Sequence, residues 1–294
     1  MVKINKSRIL VFIIFIMLSY LIPVIYQDIL GFILILSIGV IHGANDLLII
    51  KKYTRKNSFK SQISFFLSYL GLVFLGFVFF YLFPSIALLS FVLVSVYHFG
   101  EQHWEVYASN TNFINVKRIY PIILHGLIFF VMVFMNNINI VNEVLLSFNT
   151  ISLNYPSLKI FLIIIFLIYM LLLLSSKSLR VFFADEFVFF LLLFLLTMNS
   201  SLIYGFSIYF IFFHSVLSIK DQVKYIYGDN NKDFIKMYLI KALPYFILAI
   251  LFLIGFYLFV DYESLNILPI MFTFLAAITF PHVIVIEKMY TSMK

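Results

Sequence analysis

The sequence predicts an all-α integral membrane protein, a polytopic bundle of about ten transmembrane helices whose N- and C-termini are cytoplasmic. The chain of 294 residues is 64% hydrophobic and only 11% charged, whereas soluble domains are about half apolar and roughly one quarter charged. Apolar stretches recur along the whole chain without the alternation of barrel strands, which favours helices. Because each span uses about 20 residues, residues 1–294 are predicted to form a single membrane domain.

Apolar segments rich in Phe, Ile, Leu and Val define the predicted helices. They lie at residues 8–26, 29–50, 62–82, 85–100, 119–137, 158–175, 181–198, 202–219, 239–260 and 267–287. The first segment follows basic residues, as a signal peptide does, but it lacks a small-residue cleavage site and leads directly into further spans. It is therefore predicted to remain as the first helix.

The orientation of the bundle is predicted from the lysines and arginines, which mark cytoplasmic loops. In the ten-span topology all but one of the 20 basic residues fall on the side of the two termini, and Lys159 is the exception. The acidic loop residues of the other side are Asp28, Glu143, Asp261 and Glu263. The basic residues of the cytoplasmic side are Lys3, Lys6, Arg8, Lys51, Lys52, Arg55, Lys56, Lys60, Lys117, Arg118, Lys177, Arg180, Lys220, Lys224, Lys232, Lys236, Lys241, Lys288 and Lys294. We therefore expect a multi-pass protein of the inner (cytoplasmic) cell membrane, whose net charge of +7 reflects topology and not a nucleic-acid partner.

Histidine carries the clearest chemical signal, because the absence of cysteine excludes thiolate metal sites, iron–sulfur clusters and cysteine nucleophiles. The ten-span topology places every histidine near the cytoplasmic side of the membrane. They are His42, His98, His103, His125, His214 and His282. An imidazole inside a bilayer is costly and is expected to face the bundle interior. Imidazoles from several helices at one depth favour a transition-metal site, and a proton relay or separate interhelical hydrogen bonds are the alternatives.

Carboxylates follow two of these histidines by one helical turn. Asp46 lies on the same helical face as His42, where it can accept the ring N–H that does not point to a metal. A charge at the helix end is the alternative role for Asp46. Glu101 follows His98 in the same way, so both carboxylates are predicted to orient metal-binding histidines.

The remaining candidate ligands also have informative neighbours. Ser218 lies one turn after His214 and shares its helical face. Pro281 frees a backbone carbonyl and can bend its helix, so that the following His282 points inward. Asp185 and Glu186, near the inner end of the seventh segment, are either supporting groups or charges at headgroup level.

These motifs resemble the Brp/Blh family of bacterial and archaeal membrane β-carotene 15,15′-dioxygenases. The matching pieces follow the family's order across nearly the whole chain: His42-Gly43-Ala44-Asn45-Asp46 for HGAxD, Tyr97-His98-Phe99-Gly100-Glu101 for HFGE, His214-Ser215 for the WHSxRH region and Pro281-His282 for a late PH. The resemblance implies that O₂ cleaves the central double bond of β-carotene to give two retinal molecules. It also implies a non-haem Fe²⁺ held by histidines, a substrate that resides in the lipid bilayer, and a retinal-binding rhodopsin as recipient of the product.

Carried over residue by residue, the resemblance assigns ligand positions to His42, His98 and His214. The family's fourth ligand is the second histidine of WHSxRH, and Ser218 occupies that position here. His282 is the candidate to complete the iron shell, so these four histidines are the predicted catalytic and metal residues. The alternatives are three histidines with open positions, or a diverged homologue that binds a carotenoid or retinal without cleaving it. A proton-coupled transporter is a less favoured interpretation.

Overall fold

The computed structural model describes residues 6–56, 58–108, 118–259 and 267–293. Every regular element in these ranges is a helix, which confirms the predicted all-α class. Some of the charged residues used for the orientation lie outside the described residues, namely Lys3, Lys117, Asp261, Glu263 and Lys294.

The helices follow one another with short connections. In chain order they are α1 (Lys6–Leu21), α2 (Val24–Leu34), α3 (Asp46–Thr54), α4 (Phe59–Leu82), α5 (Pro84–Ala108), α6 (Ile119–Asn136), α7 (Ile138–Ser147), α8 (Tyr155–Ser175), α9 (Lys177–Arg180), α10 (Phe183–Met198), α11 (Leu202–Tyr209), α12 (Val216–Tyr227), α13 (Lys232–Phe259) and α14 (Ile267–Met293). Within the described ranges two segments are π-helical, Ile35–Gly39 directly after α2 and Phe210–Ser215 between α11 and α12.

Long apolar helices dominate the described part of the chain. Each of the predicted apolar segments overlaps a helix, whereas α7 and the short helix α9 lie outside the predicted segments. Among the described residues, seven helices are long and apolar enough to cross a membrane: Phe59–Leu82, Pro84–Glu105, Ile119–Asn136, Tyr155–Ser175, Leu202–Tyr227, Lys232–Leu258 and Ile267–Met293. These helices support a polytopic membrane protein, and the count of about ten spans and the cytoplasmic termini stay predictions.

The first of two compact units comprises residues 1–35, 95–143 and 151–214. Within it α5 and α6 touch backbone to backbone. A Cβ atom on Gly100 would lie 1.9 Å from the Ile122 carbonyl oxygen, and one on Gly126 would lie 1.9 Å from the Val96 carbonyl oxygen. Only glycine allows this approach, which is typical of small residues at membrane helix interfaces.

The second unit comprises residues 36–94, 144–150 and 215–294. Its helices α4 and α14 also pack closely, since a Cβ atom on Gly76 would lie 3.0 Å from the Ala277 Cα atom. An apolar core fills one part of this unit, built from Phe80, Ala87, Leu88, Phe91, Val144, Phe148 and Ala276. A second cluster packs α3 against α14 through Ile49, Val285, Ile286, Met289 and Tyr290.

Each of these π-helical segments precedes or contains a motif histidine. Ile35–Gly39 ends in a turn that carries His42, and α3 starts only at Asp46. Asn45 holds this turn, because its Nδ2 atom donates a hydrogen bond of 2.9 Å to the Tyr238 carbonyl oxygen. The other segment, Phe210–Ser215, contains His214. Such single π-helical turns are frequently found at functional sites.

Candidate metal centre

His98 and His214 form a buried pair in the first unit. His98 lies on α5 and His214 on the π-helical segment Phe210–Ser215, and their side chains belong to residues only 2% and 1% exposed. The two ring centroids are 4.7 Å apart at an interplanar angle of 75°, and a ring nitrogen of each lies within 4.8 Å of the other. Two neutral imidazoles at this spacing can bind one transition-metal ion.

Aromatic rings surround this pair. Phe99 stacks on the His214 ring at a centroid distance of 4.5 Å, and Phe210 stacks on it at 5.6 Å. Phe99 also stacks on Phe129 at 5.5 Å. The environment of His98 and His214 is therefore apolar, which suits a hydrophobic substrate better than a hydrated one.

His42 and His282 form a second pair, within the second unit. Their ring centroids are 4.7 Å apart and the rings are nearly perpendicular, at 84°. Gly43 lies against the His282 ring, because a Cβ atom at position 43 would be 3.5 Å from the His282 Nδ1 atom. The predicted ligands of this unit thus meet although 240 positions separate them in the sequence (282 − 42 = 240).

Asp46 is hydrogen-bonded to His282, whereas its position one turn after His42 predicted a bond to the His42 ring. The His282 Nδ1 atom donates to the Asp46 carboxylate at 2.9 Å and 3.0 Å. The Tyr69 hydroxyl donates to the same carboxylate at 2.8 Å. Because the carboxylate accepts a hydrogen bond from Nδ1–H, the Nε2 lone pair of His282 is available to a metal, as is common around metal-binding histidines.

His42 has its own orienting contacts. Its Nδ1 atom donates to the Gly39 carbonyl oxygen, and a carbonyl can only accept, so the lone pair of this imidazole lies on Nε2. The His42 carbonyl oxygen accepts from Gln222 Nε2 at 2.8 Å and from the Tyr238 hydroxyl at 3.2 Å. These bonds fix both the ring tautomer and the backbone of His42.

Ser218 joins a buried amide network in the second unit. Its hydroxyl oxygen accepts from Gln222 Nε2 at 3.0 Å, and Tyr238 donates to Gln222 Oε1 at 2.7 Å. Gln222 therefore links Ser218 to the backbone of His42. Gln222 and Tyr238 were not among the residues predicted from the sequence. For Gln222 a signal was available, because it lies one turn after Ser218 on the same helical face.

Glu101, His103 and His125 are the remaining polar residues considered in the sequence. The Tyr97 hydroxyl donates to Glu101 at 3.1 Å, one helical turn away on α5; the sequence analysis predicted that Glu101 supports His98. His103 and His125 meet the carboxylate of Glu186 in a separate cluster of the first unit. Glu186 is thus fully buried, which excludes the headgroup-level alternative for its side chain.

Comparison with known protein families identifies the type of chain. The family model described as beta-carotene 15,15'-dioxygenase matches residues 33–290. This range contains His42, His98, His214 and His282, together with Ser218. No curated protein and no solved structure matches the chain. The family expected from the histidine motifs is confirmed.

Proposed function

Because the chain belongs to the beta-carotene 15,15'-dioxygenase family, we propose that it cleaves the central double bond of β-carotene with O₂ at a histidine-bound non-haem iron. The C15=C15′ bond breaks, and each of the two carbons gains one oxygen atom of O₂. Both products are therefore retinal, and the reaction requires no further reductant. The buried histidine pairs of the matched region are the observation that carries this proposal.

The proposed iron ligands are His42, His98, His214 and His282. Neutral imidazole is a donor that suits Fe²⁺, and the local contacts in each unit support this role. In His42 and His282 the Nδ1 atom donates a hydrogen bond that orients the ring, so the lone pair for a metal lies on Nε2. In the first unit, His98 and His214 bring ring nitrogens within 4.8 Å.

Ferrous iron, when bound, supplies the redox chemistry that makes O₂ reactive. The protein supplies orientation and the exclusion of water. Asp46 and Tyr69 hold the His282 ring, while Gln222 and Tyr238 hold the His42 backbone. These supporting bonds keep the imidazoles in the orientation that binding requires.

The aromatic surroundings of His98 and His214 support a polyene as substrate. Phe99 and Phe210 present ring faces next to the His214 imidazole. A carotenoid is apolar along its central chain, so it can pack against these rings without needing a hydrogen bond from them. The bilayer is the proposed source of the substrate, and a retinal-binding rhodopsin is the proposed recipient of the product.

Expression in a bacterial host that accumulates β-carotene tests the proposal. We expect the cells to lose their colour, retinal to form, and the purified protein to contain iron. Cells that express Ser292→Ala, a change at an exposed residue of α14, should behave like the wild type. Unchanged carotene in cells with well-expressed, iron-loaded protein would contradict the proposal.

Ser218 favours a second candidate function, a carotenoid- or retinal-binding homologue without cleavage activity. At the position of the family's fourth ligand, this chain has a hydroxyl that is bonded to Gln222. Protein that purifies with stoichiometric pigment and without iron would favour this candidate. A Ser218→His variant that gains retinal formation would show that the native chain is impaired as an enzyme.

A further inference from the structure

His103, His125 and Glu186 form a buried cluster that the proposed iron site does not use. They lie on α5, α6 and α10 of the first unit. His103 is 1% exposed, and His125 and Glu186 are 0% exposed. One ligand atom from each residue lies within 4.8 Å of the ligand atoms of the other two.

The distances within this cluster are close to those between ligands of one metal ion. His103 Nε2 is 2.7 Å from Glu186 Oε1, and His125 Nδ1 is 3.3 Å from Glu186 Oε2. Donor atoms that bind zinc at about 2.0–2.2 Å are themselves roughly 3 to 4 Å apart. The His125–Glu186 contact already has this spacing, whereas His103 Nε2 and Glu186 Oε1 have to move apart to admit an ion.

Two tyrosines orient the cluster from outside. The Tyr169 hydroxyl donates to Glu186 Oε2 at 2.7 Å, and the Tyr209 hydroxyl lies 2.9 Å from His125 Nε2. His125 therefore directs Nδ1 toward the carboxylate and uses its other nitrogen for an orienting bond. Metal-binding histidines and carboxylates commonly have such outer partners.

The backbone and the charge of this region also favour a cation. The contact at Gly100 and Gly126 fixes α5 against α6, and the His103 and His125 rings stack at a centroid distance of 3.6 Å. A divalent ion beside Glu186 compensates the charge of this buried carboxylate.

We propose that His103, His125 and Glu186 bind one divalent first-row transition-metal ion, in a structural site separate from the proposed catalytic iron. Two imidazoles and one carboxylate suit Zn²⁺ or Fe²⁺. The near-complete burial of the three ligands indicates a closed site. The ion ties α5, α6 and α10 together, and this role does not depend on whether the protein cleaves β-carotene.

Co²⁺ binding to the chelator-treated, detergent-purified full chain tests the proposal. The His98→Ala/His214→Ala/His282→Ala variant removes three of the four proposed iron ligands, leaves His42 as a single imidazole, and keeps the cluster intact. We expect it to retain about one Co²⁺ per chain with the visible absorption of a nitrogen–oxygen site. Absence of that Co²⁺ from the folded variant would overturn the proposal.

Variants of the cluster give the converse test. Adding Glu186→Gln to that background should weaken Co²⁺ binding by more than about 100-fold, beyond the effect of losing an outer partner. Asp185→Asn is the matched control, because it neutralises the neighbouring carboxylate, which pairs with Arg8. Equal Co²⁺ binding with and without Glu186 would overturn the proposal. If Glu186→Gln does not fold, His125→Gln in the same background carries the same expectation, and zinc X-ray absorption of the wild type should show ligation by two imidazoles.

Discussion

Two histidine groups in the first unit differ in the polar groups that contact them. His98 and His214 lie among aromatic rings such as Phe99 and Phe210. His103 and His125 are bonded to the Glu186 carboxylate, and His125 also contacts the Tyr209 hydroxyl, although Phe189 and Phe190 pack against these rings. Aromatic walls favour a centre that admits a hydrophobic substrate, whereas a buried carboxylate bonded to two imidazoles favours a closed, structural centre. Burial is equal in both groups, so the neighbours of a buried imidazole indicate its role better than burial does.

The largest expected effect separates these two groups by activity. His214→Ala should lower retinal formation by more than about 100-fold, because a direct ligand matters more than its outer partners. Glu186→Gln should lower it by less than about 10-fold if the second centre is structural. Ser207→Ala is the control, since its hydroxyl bonds only within its own helix turn, to the Tyr204 carbonyl oxygen. Retinal yields per mole of folded protein measure all three, and a larger loss in Glu186→Gln than in His214→Ala would reverse the assignment.

The helix crossing offers the next largest effect. Gly126→Ala forces a methyl group against the Val96 carbonyl oxygen, and it should destabilise the protein by about 3 kcal/mol, in the range of overpacking. The added methyl group should move α6 away from α5 and break the His103–His125 stack, whereas the contact between His98 and His214 should persist. Thermal unfolding and Co²⁺ binding measure the two consequences.

Gly71 is the matched control for this change. No atom lies within 4 Å of a Cβ atom at position 71. Gly71→Ala should therefore stabilise α4 slightly, by about 0.5–1 kcal/mol. A Gly126→Ala protein as stable as Gly71→Ala would contradict the close crossing.

The carboxylate of the second unit gives a smaller effect. Asp46→Asn weakens the bond that fixes the His282 tautomer, and we expect iron affinity to fall by about 10- to 100-fold. Asp185→Asn, which alters a carboxylate outside the proposed iron ligands, is the control. Iron titration of chelator-treated protein measures this loss, and unchanged affinity in Asp46→Asn would exclude His282 as a ligand.

The sequence predicted the helices and the identity of the histidines better than their partners. Apolar length predicted the long helices, and short family motifs predicted His42, His98 and His214 as ligands, a role that stays a prediction. Pairing was less accessible, because His282 and Asp46 are 236 residues apart and His103 and Glu186 are 83 apart. Equal depth in the membrane is compatible with many pairings, so Asp46 was matched to its nearest histidine along the chain. Helix α7 is apolar but too short to count as a span, and the π-helical segments lie inside apolar runs where hydropathy does not distinguish them from α-helix, which explains why these features were not predicted.

Tyr209 offers the smallest and most selective test, because it contacts both environments. Its ring stacks on Phe129 at 3.8 Å and on Phe99 at 5.8 Å, while its hydroxyl lies 2.9 Å from His125 Nε2. Tyr209→Phe keeps the ring and removes only the hydroxyl, so His125 loses one hydrogen bond worth about 1 kcal/mol. Co²⁺ affinity of the cluster should fall by roughly 5-fold, and retinal formation should stay unchanged. An equal loss of Co²⁺ affinity and of retinal formation would mean that the two histidine groups act as one centre, in spite of their different neighbours.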